Sequence, residues 1–249
     1  MTGHRAATTV PTGTVLGVPV SLLGMNETLS VIEALIEGEE PNLIATADAS
    51  GIVMAQDDLE LADVYARATL VTPDGNGVVW ALNRKGHSVK ERVSGVDLVD
   101  RLCALSSEKG HRIFILGSEP GVAELAAERL RLRHPGCNIV GTRHGFFPPT
   151  DDDLVAEEVA AFRPDILFVA MGIPRQEKFI LRTMPEIRAK VAIGVGGSFD
   201  VFSGRVRRAP RWVQALKLEW LWRTLLNPKK MSKAKLLPRF AWMVLRSGK

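Results

Sequence analysis

The sequence predicts an α/β protein, a Rossmann-like, mostly parallel sheet with helices on both faces, followed by a basic, Trp-rich helical appendage. Short β-branched runs alternate with helical patterns of roughly 10–15 residues, the rhythm of β-α units. The loops after the apolar runs carry Gly or small polar residues, as at the carboxyl ends of an open sheet. The charge is also divided. Residues 205–249 hold 13 Lys or Arg and one acid, Glu219, leaving 19 bases (32 − 13) against 27 acids (28 − 1) in the body. Residues 1–204 therefore read as the α/β body and 205–249 as a separate basic segment.

The elements follow in order. "TVLGVPVSL" reads as a strand pair, and "NETLSVIEALIEGEE" as an amphipathic helix starting at Asn26 with acids in its first turn. "PNLIATADAS" is strand then turn, "GIVMAQDDLELADVYARA" one helix, and "TLVTP" a strand. "GVDLVDRLCALSSEKG" is a helix closed by Gly110, leading into the strand "RIFILG". Next come the helix "SEPGVAELAAERLRLRHPG", the strand and loop "NIVGTRHG", the helix "DDDLVAEEVAAFRP" and the strand "DILFVAMG". "RQEKFILRTMPEI" is a further helix, and "VAIGVGGSFDVFSG" a strand that ends in a glycine-rich loop.

Composition excludes several classes. Cys103 and Cys137 lie far apart and lack a C-x-x-C partner, which supports neither a disulfide framework nor a zinc site and suits a reducing compartment. The first residues, "MTGHRAATTVPTGT", hold no apolar signal-peptide core, and no run of 18 apolar residues offers a membrane span. His4, His87, His111, His134 and His144 show no ligand spacing. The D-x-D within "DDD" at 151–153 has the form of a metal-holding motif, but helix capping explains it as well.

Five loops are placed to share one pocket: 46–50, 72–77, 117–121, 172–176 and 194–200. Gly117 in "FILGSEPGVAE" ends a strand before a helix, which suits either a phosphate site or a plain β-α connection. In "VAMGIPRQEKFI", Gly172 precedes Gln176, whose amide could read a base or sugar or simply be solvated. Gly196 and Gly197 allow a ligand to approach the backbone closely. Asp74, in "TPDGNGVVW", has no His, Cys or Ser beside it as a nucleophile pair. It is either a turn residue or a lone general base or sugar-hydroxyl acceptor.

The tail holds four of the five tryptophans, Trp212, Trp220, Trp222 and Trp242. Lys and Arg interleaved with Trp at helical spacing favour a helix lying on an anionic membrane surface. Nucleic acid is the weaker reading of the same charge, and core packing, up to about Leu226, or self-association is the alternative.

"TPDGNGVVW", "KERVSGVDLVDRL", "FILGSEPGVAE", "MGIPRQEKFI", "GVGGSFDVFSGRVRRAPRW" and "LEWLWRTLLNPKK", in this order and spacing, resemble the WecG/TagA/CpsF glycosyltransferases, glycosyltransferase family 26. The resemblance spans about Val15 to Lys230. It implies inverting transfer, without metal or cofactor, of a hexosamine-type sugar such as N-acetylmannosamine. The donor would be a UDP-sugar and the acceptor a polyprenyl-diphosphate-linked N-acetylglucosamine, at the cytoplasmic face of the membrane. It makes Asp74 the expected base and Thr46, Arg92 and Gln176 pocket residues. Arg223 and Lys230, with Arg211, Trp220, Trp222 and Lys229, would belong to a membrane- and acceptor-binding segment. The family usually has Asn where this chain has Asp48, so the residue bears on which donor group is held. UDP-glucose, UDP-galactose or a UDP-uronic acid are alternative donors, and a non-catalytic nucleotide-binding membrane adaptor is the rival outside enzymology. Homo-oligomerisation is left open.

Overall fold

The computed structural model describes residues 10–210, 213, 222 and 235–248. It opens on an antiparallel hairpin of β1 (Thr12–Val15) and β2 (Val18–Ser21). The two turn residues, Leu16 and Gly17, both have positive φ (49° and 84°), the backbone that matches a tight hairpin to the strand twist.

The body is a six-stranded parallel sheet in the order β4-β3-β8-β7-β5-β6. Its strands are β3 (Asn42–Ala47), β4 (Leu70–Pro73), β5 (Ile113–Gly117), β6 (Ile139–Arg143), β7 (Ile166–Ala170) and β8 (Val191–Gly194). Alternation along each strand feeds two cores. Leu43, Ala45, Phe114, Leu116, Leu167, Val169 and Ala192 face one; Ile44, Ile113, Ile115, Ile166, Phe168, Val191 and Ile193 face the other.

Helices cover both faces. The first core takes α2 (Ala49–Met54), α3 (Leu59–Arg67), α4 (Asn76–Arg84), α7 (Asp152–Ala161) and α8 (Arg175–Ile187). The second takes α1 (Met25–Ile36), α5 (Gly95–Lys109), α6 (Val122–Arg133) and α9 (Ser198–Phe202). Near the end of the chain, α10 (Leu236–Arg246) seats Phe240 and Val244 in the first core against α2. No helix among the described residues is long and apolar enough to cross a membrane.

Several elements differ from the sequence reading. The single helix expected over 51–68 is two: α2 ends at Met54, and Asp58 caps α3 by accepting the Leu61 amide at 3.1 Å. Helix α1 starts at Met25 rather than Asn26, with Glu27 reaching back to the Gly24 amide at 2.7 Å. The Asn-Gly that reads as a turn is the first turn of α4, and α9 follows the glycine loop. Cys103 and Cys137, distant in sequence, are both buried free thiols, and the neighbouring Cys137 thiol together with burial pushes the Cys103 thiol well above its ordinary value.

Candidate active site

A cavity of about 400 Å³ opens at the carboxyl ends of β3, β4, β5, β7 and β8. Its lining joins Thr46 at the end of β3 and Asp48 just after it, Asp74 after β4, Ser118 and Glu119 after β5, Gly172 and Gln176 after β7, and Gly196, Gly197 and Asp200 after β8. All five loops anticipated from the sequence meet here. Arg92, Ser94 and Phe146 complete the wall from segments outside those loops.

Parallel pairing sets the first two carboxylates side by side. Ala47 and Pro73 are register partners on β3 and β4, so Asp48 and Asp74 are the next residues of adjacent strands. The Asp74 amide donates to the Ala47 carbonyl at 2.9 Å, and Asp74 Oδ2 accepts the Gly95 amide at 3.4 Å. The segment before α5 is tied over β4 by the Val93 amide on the Pro73 carbonyl and the Thr72 hydroxyl on the Val93 carbonyl, at 3.0 and 3.1 Å. This brings Arg92 and Ser94 to the cleft.

Asp48 caps α2. Its Oδ1 accepts the Ser50 hydroxyl at 2.6 Å and the Gly51 amide at 2.7 Å. The buried Thr46 hydroxyl donates to the Gly194 carbonyl at 2.8 Å, locking the end of β3 to β8.

Gln176 is buried, and its amide is fully engaged. Oε1 accepts the amides of Gly172 and Gly196, each at 3.0 Å, and Nε2 donates to Glu177 Oε1 at 2.7 Å. The side chain thus braces two glycine loops rather than standing solvated. At Gly172 and Gly196 a β-carbon would meet open space, but φ of 79° and 52° disfavours side chains there. Gly117 lies behind the lining: its φ is 133°, and a β-carbon would stand 2.5 Å from the Ala170 carbonyl oxygen.

Under the floor lies Tyr65, wholly buried, its hydroxyl unbonded among the described residues. Burial, then the carboxylates of Glu177, Asp48 and Asp74, push its pKa well above the ordinary value. Gly51 makes room for it, since a β-carbon there would stand 2.5 Å from the phenolic oxygen.

The "DDD" run is divided by packing. Asp152 is buried and bound by Arg175, which also lies over the Phe147 and Phe179 rings, and by Arg182; Asp153 is exposed. Of the tail residues named from the sequence, Trp222 is half-buried. Arg211, Trp220, Arg223, Lys229 and Lys230 lie outside the described residues.

Sequence reasoning passed over Ser118, Glu119, Phe146 and Asp200 as individuals. Ser118 has a left-handed backbone (φ 59°) and accepts the Gly145 amide at 2.9 Å, which draws the loop bearing Phe146 to the rim. Glu119 pairs with Arg205 at 2.6 Å. Nothing in the local sequence marks Phe146, because it reaches the cleft through that long-range contact.

A parallel α/β sheet with an acid-lined, glycine-walled cleft over its strand ends defines a Rossmann-like protein with a ligand site in the position usual for that architecture. The model of the glycosyl transferase WecG/TagA/CpsF family matches residues 13–249, and the chain belongs to this family of glycosyltransferases. Among its relatives is the N-acetylglucosaminyldiphosphoundecaprenol N-acetyl-beta-D-mannosaminyltransferase of Bacillus subtilis strain 168. It is 35% identical over 207 residues, 83% of this chain and 80% of that protein. Enzymes of the same name from Staphylococcus aureus strain MRSA252 and Bacillus spizizenii strain W23 are 29% and 37% identical. The first match covers 94% of this chain and 92% of the relative, the second 74% and 70%.

Proposed function

We propose that this glycosyltransferase moves N-acetylmannosamine from a UDP-sugar to N-acetylglucosamine on a polyprenyl diphosphate, with Asp74 as the general base. The observation that carries the reading is the position of Asp74. It lines the cleft at the end of β4, on a backbone fixed by the Ala47 carbonyl, and among the described residues no covalent nucleophile pair accompanies it. The names of the relatives supply the sugar and the acceptor.

In this reading the acceptor hydroxyl attacks the anomeric carbon while the bond to the UDP oxygen breaks on the opposite face. Asp74 takes the hydroxyl proton, and UDP leaves as an anion, so one carboxylate suffices for an inverting step. Arg92 contributes positive charge to the wall, and Gly172, Gly196 and Gly197 leave space against the backbone for the diphosphate. Thr46 and Gln176 hold the loops in place.

Access to a lipid-linked acceptor calls for a membrane-facing surface. On α10, Trp242 and Leu245 are exposed while Phe240 and Val244 are buried, and the Arg246 guanidinium lies over the Trp242 ring, 5.2 Å from its centroid. Together with the 13 bases of residues 205–249, this face suits peripheral attachment to anionic lipid. The test is transfer from UDP-N-acetylmannosamine to a short-chain polyprenyl-diphosphate-N-acetylglucosamine, read by mass spectrometry of the lipid product. A disaccharide product supports the reading; UDP binding without transfer to this acceptor overturns it.

A further inference from the structure

We propose that Asp48 is a donor-specificity residue, whose Oδ2 meets the transferred sugar and sets the site against sugars that carry a carboxylate. The inference rests on the reading of Asp74 as base. It begins with the order of strand ends, β4-β3-β8-β7, which is also an order of functions. Asp74 stands at the β4 end. The glycine loops that leave room for a diphosphate stand at the β8 and β7 ends. A sugar bonded to that diphosphate, and attacked beside Asp74, must cross the strand between them, β3. Asp48 is the residue that β3 places there.

The hydrogen bonds of Asp48 leave one oxygen for this role. Both the Ser50 hydroxyl and the Gly51 amide fall on Oδ1. Oδ2 receives no hydrogen bond among the described residues, although the side chain lines the cavity. An acceptor oxygen in that place suits a hydroxyl or an acetamido N–H. A sugar carboxylate there would face the Asp48 carboxylate directly, with Asp74 on the adjacent strand about one strand spacing, ~4.8 Å, from Asp48. Like charges brought together in this way repel, and specificity is a difference that repulsion sets as effectively as attraction.

Asp48→Asn isolates the effect. Asn is as good a helix cap as Asp, so the Oδ1 contacts survive while the free oxygen becomes an N–H donor and the charge is lost. Any change this makes in the strength of the neighbouring base acts on every donor alike and cancels in a ratio. The experiment is kcat/KM for UDP-N-acetylmannosamine and for UDP-N-acetylmannosaminuronate, in wild type and Asp48→Asn, with thermal melts of both proteins. Wild type should prefer the neutral donor, and the uronate-to-neutral ratio should rise about tenfold or more in Asp48→Asn. An unchanged ratio, or a wild type that takes the uronate as readily, overturns the proposal. Failure of the parent reading looks different: wild type then transfers neither sugar while still binding UDP, and the specificity role falls with it.

Discussion

The side-chain oxygen of Gln176 lies 3.0 Å from the backbone nitrogen of Gly196, and the same oxygen holds the amide of Gly172. One buried amide therefore sets the spacing of the loops that follow β7 and β8. Gln176→Leu leaves both amides without that acceptor. Stability should fall by about 2–4 kcal/mol, since an unmet buried amide costs about 1–3 kcal/mol and partial exposure keeps these two in the lower part of that range. KM for the donor should rise more than kcat falls, because the loops position rather than react. Chemical denaturation and steady-state kinetics check both; a variant with wild-type KM would remove Gln176 from the site.

Asp152 and Asp153 separate packing from metal chemistry. Asp152 is buried against Arg175 and Arg182, whereas Asp153 is exposed. Removing one partner of a buried ion pair costs about 3–5 kcal/mol, and the partly exposed arginines place Asp152→Ala at the lower end. Asp153→Ala should change stability by less than about 0.5 kcal/mol and leave transfer intact. Loss of activity in a fully folded Asp153→Ala would argue for a working D-x-D.

Tyr65 predicts an alkaline limit. Its phenol is held protonated in the fold well above the ordinary value of 10.0. As pH rises past that value the unfolded chain releases the proton and the folded chain keeps it, so unfolding gains and stability falls. Tyr65→Phe should flatten this fall in denaturation curves taken from about pH 9 to 11. At neutral pH it should cost nothing or stabilise slightly, by up to about 1 kcal/mol, because an unbonded buried hydroxyl is removed. An equally steep alkaline loss in Tyr65→Phe would assign the effect elsewhere.

Trp242 and Leu245 face away from the core that Phe240 and Val244 enter. Replacing both with Glu should leave the melting temperature within a degree or two, since neither side chain is buried, yet reduce sedimentation with anionic vesicles by about tenfold. Unchanged vesicle binding would move the membrane contact off α10.

The sequence made most of this fold legible because its strands are short apolar runs with clear glycine punctuation. "RIFILG" and "DILFVAMG" could be placed almost to the residue. It misled where one residue type serves two purposes. Asp57 and Asp58 look like the polar face of a helix, but Asp58 is a cap. Asn76 and Gly77 look like part of a tight turn with Asp74, but they begin α4. In the cleft, Asp74 and Gln176 stand in motifs legible in the sequence, whereas Thr46 comes only through the family resemblance. Phe146 in the cleft and the neighbouring positions of Cys103 and Cys137 depend on contacts between distant segments, which no local pattern encodes.

The central claim is that Asp74 is the base. The most direct measurement compares wild type with Asp74→Asn in transfer from UDP-N-acetylmannosamine to the lipid-linked acceptor, beside UDP binding and thermal melts. The account predicts transfer reduced by about 10²-fold or more, with the fold and UDP affinity nearly unchanged. Transfer by Asp74→Asn at the wild-type rate would contradict it.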